Sequence, residues 1–245
     1  MIKKTSKGNY VFPRLLEYKD LVHGVSTVSF GDMNFMRKEN ELNIKVFAEA
    51  VGIRYEKMHF MEQLHTKQVK EVKSEKKSIY KKVDSLITSK NIVISTKTAD
   101  CVPLIFFDPV TRTIAVAHSG WVGTYKNIAA NVISKLKKKK VNTNNIIVMI
   151  GPSIGACCYS IDKLRAKKFK SKYTATHSKF ITLKNGKDYL DLATLIKYQL
   201  LEVGIKAENI ESADICTNHS EDFYSYRKQA SIGKTKVFLT SVGLI

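Results

Sequence analysis

The longest uninterrupted apolar runs in this sequence, Val102 to Phe107 and Ile146 to Ile150, have the length of β-strands. No stretch approaches the roughly 20 apolar residues that a membrane-spanning helix requires. A chain of 245 residues, 44% hydrophobic, therefore buries its apolar segments in a core of its own, as one large domain or two small ones. The basic start Met1-Ile2-Lys3-Lys4 is not followed by an apolar region, so no signal peptide is expected. Four cysteines at this length do not make a disulfide framework. The expected setting is the cytoplasm, with no membrane partner.

Periodicity and turn residues predict a mixed chain. Short strands are expected at Tyr10 to Phe12, Leu21 to Val28, Lys57 to Leu64, Gln68 to Val72, Ile92 to Thr96, Leu104 to Phe107, Thr113 to Ala117, Ile146 to Ile150, Ile210 to Cys216 and Lys236 to Leu239. Helices are expected over Glu41 to Val51, with Leu42, Val46 and Ala50 facing inward and Gly52 as the stop, over Tyr125 to Leu136, and over Leu190 to Val203 before Gly204. No repeat, low-complexity linker or composition break divides the chain. The economical reading is a single α+β domain spanning 1–245.

The net charge of +19 raises the question of nucleic acid. Of the 41 basic residues only 6 are Arg, and the lysines are spread along the whole chain. Sequence readout leans on Arg forks and interleaved aromatics, and neither is concentrated here. The charge reads as a solvated surface that steers anionic small molecules and has incidental polyanion affinity, without a specific nucleic-acid partner.

Three residues stand at element ends beside small or turn-forming neighbours. His65 lies in Gln63-Leu64-His65-Thr66, Cys101 heads an apolar strand after Thr98-Ala99-Asp100, and His118 closes Ile114-Ala115-Val116-Ala117. Two imidazoles and a thiolate suit Zn²⁺ and leave a fourth position for water or substrate. Bound there, zinc would bring the pKa of that water near neutrality. The gaps of 36 and 17 residues are long, however. On spacing alone, a buried cysteine and two unrelated histidines is the more economical account.

Adjacent Cys157 and Cys158 follow Gly151-Pro152-Ser153-Ile154-Gly155. Placed on a strand they point to opposite faces and cannot easily join one metal, so this segment reads either as a tight turn or as a pocket wall. Tyr226-Arg227 in Phe223-Tyr224-Ser225-Tyr226-Arg227-Lys228 offers an Arg between aromatics, either an anion clamp or a solvent-facing edge residue. Gly233-Lys234-Thr235 resembles the tail of a phosphate loop, but Lys228 occupies the position of its first glycine, which rejects that reading.

Taken together, Asp84-Ser85-Leu86-Ile87-Thr88, Thr98-Ala99-Asp100-Cys101-Val102-Pro103, His118-Ser119-Gly120-Trp121, the Gly151-to-Gly155 run with Cys158-Tyr159, and Phe223 to Arg227 resemble the YfiH-like, or polyphenol oxidase laccase-domain, family. His23 to Thr27 and Asn34 resemble its N-terminal motif. The resemblance implies an α/β sandwich with one zinc per chain on His65, Cys101 and His118. It implies phosphorolysis of adenosine, inosine and methylthioadenosine, and deamination of adenosine. Nucleoside and phosphate are then the partners, with Asn34, Tyr226 and Arg227 in substrate binding, in a monomer or weak homodimer.

The laccase label itself does not suit the residues. A blue-copper site plus a trinuclear cluster needs about ten histidines, many in His-x-His pairs (an extension of), whereas the chain has 6 His and no such pair. It also departs from the family pattern where arginines usually stand, with Val28, Val122 and Lys228 instead. Two rival readings share these residues: a cysteine hydrolase with Cys101 as nucleophile and His118 or His65 as base, and a catalytically weakened binding relative with a structural zinc.

Overall fold

The computed structural model describes residues 2–230, 233 and 235–245, and its centre is the strand that carries the longest apolar run. All residues of Val102–Asp108 are buried. Successive side chains of a strand point to opposite faces, so Leu104 and Phe106 enter one apolar cluster while Ile105 and Phe107 enter another. A strand covered on both sides needs such a continuous run.

That strand belongs to a six-stranded sheet in the order Ile210–Ser212, Ile147–Ile150, Val102–Asp108, Thr113–Ser119, Ser85–Thr88, Val69–Glu71. A seven-stranded sheet runs Lys3–Lys4, Tyr10–Val11, Leu21–Val25, Phe238–Leu244, Val93–Thr98, Met58–Met61, Ile79–Tyr80. The two sheets share one core, in which Ile105, Phe107 and Val116 of the first lie with Ile94, Phe238 and Val242 of the second. Helices Ile128–Lys138 and Leu192–Glu202 cover the outer face of the six-stranded sheet. Helix Glu41–Val51 covers that of the seven-stranded sheet. A small sheet of Ser160–Ile161, Lys187–Leu190 and Ile181–Lys184 packs on the first pair of helices. The layers form the expected α+β sandwich, and no described helix is long and apolar enough to cross a membrane.

Local detail departs from the sequence reading in instructive ways. Helix Glu41–Val51 has the expected bounds, and Gly52 closes it at φ 78. Its buried residues, however, are Ile44, Phe47 and Ala48, while Leu42 and Val46 are 69% and 49% exposed. The helix carries two apolar stripes, and the one holding Phe47 removes more apolar surface from water. Phe47 meets Phe30 edge to face at 5.5 Å.

The helix expected over Tyr125 to Leu136 is instead two, Trp121–Tyr125 and Ile128–Lys138. Asn127 breaks it at φ 56 and caps the second piece by accepting from the Ala130 N–H. Asparagine tolerates both roles. Several expected strands are shorter, most of all those ending as Leu21–Val25, Met58–Met61 and Ile210–Ser212. Cys157 and Cys158 lie in a turn between strands, so the opposite-face geometry expected of strand residues does not apply to them.

Replacing Phe106, fully buried beneath the helices, by Ala is expected to cost about 3–5 kcal/mol of folding stability. Chemical denaturation checks this as a lower midpoint with an unchanged slope.

Candidate metal centre

The antiparallel hairpin of Val102–Asp108 and Thr113–Ser119 pairs Val102 with Ser119 and Pro103 with His118. This register brings the residue before the first strand, Cys101, beside the end of the second. His65 arrives from elsewhere, on the loop that leaves Met58–Met61 in one sheet and enters Val69–Glu71 in the other. The three side chains meet, with their donor atoms within 4.8 Å of one another. Cys101 Sγ lies 3.9 Å from His65 Nε2, and the two imidazole rings stand edge to face with centroids 4.8 Å apart.

One buried carboxylate organises this meeting. Asp84 accepts from the backbone N–H groups of Leu64, His65 and Thr66 at 3.2, 3.1 and 2.7 Å and from the Thr66 hydroxyl at 2.8 Å. These bonds hold His65 at φ 56, a left-handed conformation that costs a non-glycine residue on the order of 1 kcal/mol. The same carboxylate receives the His118 Nδ1–H at 2.7 Å, which leaves Nε2 as the imidazole's free donor atom.

Burial works to raise the Asp84 pKa, but His118 and Thr66 hold it below the usual carboxylate range. Burial also opposes the Cys101 thiolate, yet His118 and His65 bring its pKa down to about 6. For His118, burial favours the neutral ring, but Cys101 and Asp84 raise its pKa to about 9. Without metal the pair is thus a thiolate beside an imidazolium.

Gly120 explains why there is room. A Cβ there would sit 2.8 Å from both Cys101 Sγ and His65 Cδ2. The donor set of two imidazoles and a thiolate around this space fits a zinc-like ion with an open position.

The centre opens into a cleft of about 560 Å³, within the size range of small-ligand pockets. Among the described residues, its wall carries three cations that no spacing signalled as a group: Lys97, Arg165 and Arg227. Lys97 lies over the Phe35 ring at 4.5 Å and donates to Asn34 Oδ1 at 2.9 Å; burial lowers its pKa. Asn34 therefore stands behind Lys97. Arg165 stacks on Trp121 at 4.5 Å and reaches the Tyr159 hydroxyl at 3.3 Å. Arg227 and exposed Tyr226 line the cleft on a short helix, Tyr226–Gln229, rather than on an edge strand. The Arg227 guanidinium donates to the Cys158 and Ser160 carbonyls and the Ser160 hydroxyl, so it latches the neighbouring turn while keeping its charge at the cleft.

Asp100 ties these parts together. Its carboxylate accepts from Thr217 Oγ1 at 2.6 Å and from the Arg227 N–H at 2.7 Å, and its carbonyl accepts from Ile154 N. It too is left-handed, at φ 83. Sequence reasoning assigned no role to Asp84, Asp100, Lys97, Arg165, Trp121 or Tyr159. Asp84, Asp100, Trp121 and Tyr159 did lie inside quoted motifs; Lys97 and Arg165 had no signal at all. Of the departures from the usual arginines, Lys228 reaches Ser220 O and Glu221. Lys234, in the rejected phosphate-loop tail, lies outside the described residues.

Known proteins resemble this chain along most of its length. A family described as multi-copper polyphenol oxidoreductase laccase matches residues 21–241. A purine nucleoside phosphorylase of Clostridium acetobutylicum is 31% identical over 246 residues, 97% of this chain and 98% of its own length. One of Bacillus subtilis is 33% identical over 67% of this chain but only 59% of its own length, and one of Mus musculus 31% over 75% and 43%. An adenosine deaminase from an unknown prokaryotic organism is 31% identical over 62% of this chain and 60% of its own. Among solved structures, the hypothetical protein YfiH of Bacillus licheniformis superposes with a TM-score of 0.90 at 24% identity, covering 100% of this chain and 99% of that one. YlmD of Geobacillus stearothermophilus gives 0.89 at 24%, covering 99% and 98%.

Two outcomes follow from this geometry. Asp84→Asn, which keeps the size but removes the charge behind His118, is expected to weaken metal affinity about 10–100-fold, as measured by competition with a chelator. In metal-free protein the Cys101 thiolate persists until pH falls through about 6. Its alkylation rate should therefore titrate near that value, whereas an ordinary cysteine titrates near about 8.5.

Proposed function

This chain belongs to the multi-copper polyphenol oxidoreductase laccase family, and on that premise we propose that it is a zinc-dependent purine nucleoside phosphorylase acting on adenosine, inosine and methylthioadenosine, with adenosine deamination as a second activity. Residues 1–245 are proposed to act as one catalytic domain. The observation that carries this reading is the cleft itself, where His65, Cys101 and His118 face a wall holding both cations and aromatic rings. The names of several relatives point the same way.

His65, Cys101 and His118 would hold the zinc, which when bound supplies a Lewis acid at the open end of the site. In phosphorolysis, a phosphate oxygen bonds to the anomeric carbon of the ribose while the glycosidic bond breaks and its electron pair leaves with the purine. Lys97 and Arg165 are assigned to hold the phosphate, in place of the arginines absent at Val28 and Val122. A partly desolvated cation such as Lys97 binds an anion more strongly than one in bulk water. Arg227 and Tyr226 border the substrate, and Trp121 and Tyr159 offer aromatic faces to the base. In deamination, water adds at C6 of adenosine and ammonia leaves, giving inosine. Oxidase chemistry is not proposed, because 6 His without a His-x-His pair cannot furnish a blue-copper site together with a trinuclear cluster.

A second reading has its own observation. The thiolate–imidazolium pair of Cys101 and His118 is also the arrangement of a cysteine nucleophile.

One assay separates these readings: turnover of adenosine with and without phosphate, alongside metal content. Adenine and ribose 1-phosphate should form only with phosphate, inosine and ammonia without it, and His118→Ala should reduce both to background. Full turnover in metal-free protein, abolished by alkylation of Cys101, would overturn the zinc reading in favour of the cysteine nucleophile.

A further inference from the structure

A second group of metal-ligating side chains lies outside this centre. The loop after Ile147–Ile150 runs beside the loop after Ile210–Ser212, joined by Ser153 N to Ile215 O at 3.2 Å and Thr217 N to Ser153 O at 3.0 Å. Each loop then makes a tight turn. In one, Cys158 and Tyr159 both donate to the Gly155 carbonyl; in the other, His219 and Ser220 both donate to the Cys216 carbonyl.

The turns present their side chains to each other. Cys158 Sγ lies 3.1 Å from His219 Nε2, and Cys157 Sγ lies 3.7 Å from His219 Nδ1. Donor atoms of Cys157, Cys158, Cys216 and His219 all fall within 4.8 Å of one another. All four cysteines of the chain are free thiols. Because Cys157 and Cys158 occupy a turn, the strand rule that would send them to opposite faces does not hold.

Two further details suit thiolate ligands. The Gly155 N–H points at Cys216 Sγ at 3.3 Å, and Asn218 Nδ2 donates to Cys158 Sγ at 3.2 Å; hydrogen bonds to a sulfur favour its charged form. Gly155 has no side chain to crowd the group, since a Cβ there would lie 3.2 Å from Cys157 Sγ.

We propose that Cys157, Cys158, Cys216 and His219 form a second metal site, a closed structural site for a thiophilic ion of the zinc class. Three sulfurs and one nitrogen complete a tetrahedral shell and leave no position for substrate, in contrast to the three-ligand centre. Binding releases the thiol protons to solvent.

Its place in the fold gives it a role. The Cys157–Cys158 turn supplies the carbonyl that Arg227 latches, and Ile154 and Tyr159 on either side line the catalytic cleft. A bound ion staples this wall to the Cys216–His219 turn, which is distant in sequence. It acts on the cleft by positioning its wall and takes no part in the reaction.

The test is zinc titration of full-length, metal-depleted, reduced protein, with metal content read by mass spectrometry. Wild type should bind about two equivalents per chain, and Cys157→Ser/Cys216→Ser about one. The decisive variant is Cys101→Ser/His118→Ala, which lacks the first centre and should still bind about one equivalent. Cobalt substituted into that variant should give thiolate charge-transfer bands. In wild type, zinc should also protect Cys157, Cys158 and Cys216 from alkylation, a readout that needs no variant. No zinc bound by folded Cys101→Ser/His118→Ala, or equal alkylation of Cys157, Cys158 and Cys216 with and without zinc, would overturn the proposal.

Discussion

The contact on which the centre depends is the Asp84 carboxylate, fully buried and saturated with donors. Moving an isolated carboxylate into a protein interior is costly, and the penalty is offset only when its oxygens are met by hydrogen bonds or opposite charge. Asp84 meets that condition with three backbone N–H groups, one hydroxyl and the His118 imidazole. The donors that satisfy it belong to the His65 loop and to the strand Thr113–Ser119, which carries His118. The arrangement that makes the buried charge tolerable is therefore the one that brings two candidate ligands together.

Asp100, which lines the cleft, repeats the principle. It binds a threonine hydroxyl, the backbone of Arg227 and, through its carbonyl, the loop bearing Ile154. Both His65 and Asp100 are held in left-handed backbone conformations. Such strain persists only where surrounding contacts over-determine it. Here the contacts come from the two aspartates, and the strained residues are a candidate ligand and the residue just before another. The cleft is thus rigid where donor atoms converge, and its cations are held in place, Lys97 over the Phe35 ring, Arg165 on Trp121 and paired with Asp162 at 3.5 Å, and Arg227 on backbone carbonyls.

Legibility in the sequence followed the range of the interaction. The continuous run at Val102 to Phe107 announced a strand buried on both faces because strand burial is written in consecutive residues. Gly52 announced a helix end because left-handed backbone favours glycine. The inward face of Glu41–Val51 was misread because two apolar stripes of that helix compete, and only the partner sheet and Phe30 choose between them. The break at Asn127 was missed because an amphipathic pattern continues through it. For Cys157 and Cys158 the residues left a tight turn and a pocket wall both open, and only the strand rule spoke against a shared metal; the chain turns after Gly155 and directs both thiols to His219.

The order of residue types set the inventory: strand-length apolar runs that demand layered burial, a donor set of imidazole and thiolate, too few histidines for copper clusters, and motif resemblance along nearly the whole chain. Convergence came from the fold. His65 and Cys101 are 36 residues apart, Asp84 serves both His65 and His118, and Lys97 comes from one sheet while Arg165 comes from the helical side. Those distances are closed by the strand register, the packing of two sheets and the hydrogen-bonding demand of a buried carboxylate. Such through-space terms have no period along the chain, so no local reading of residues could have supplied them.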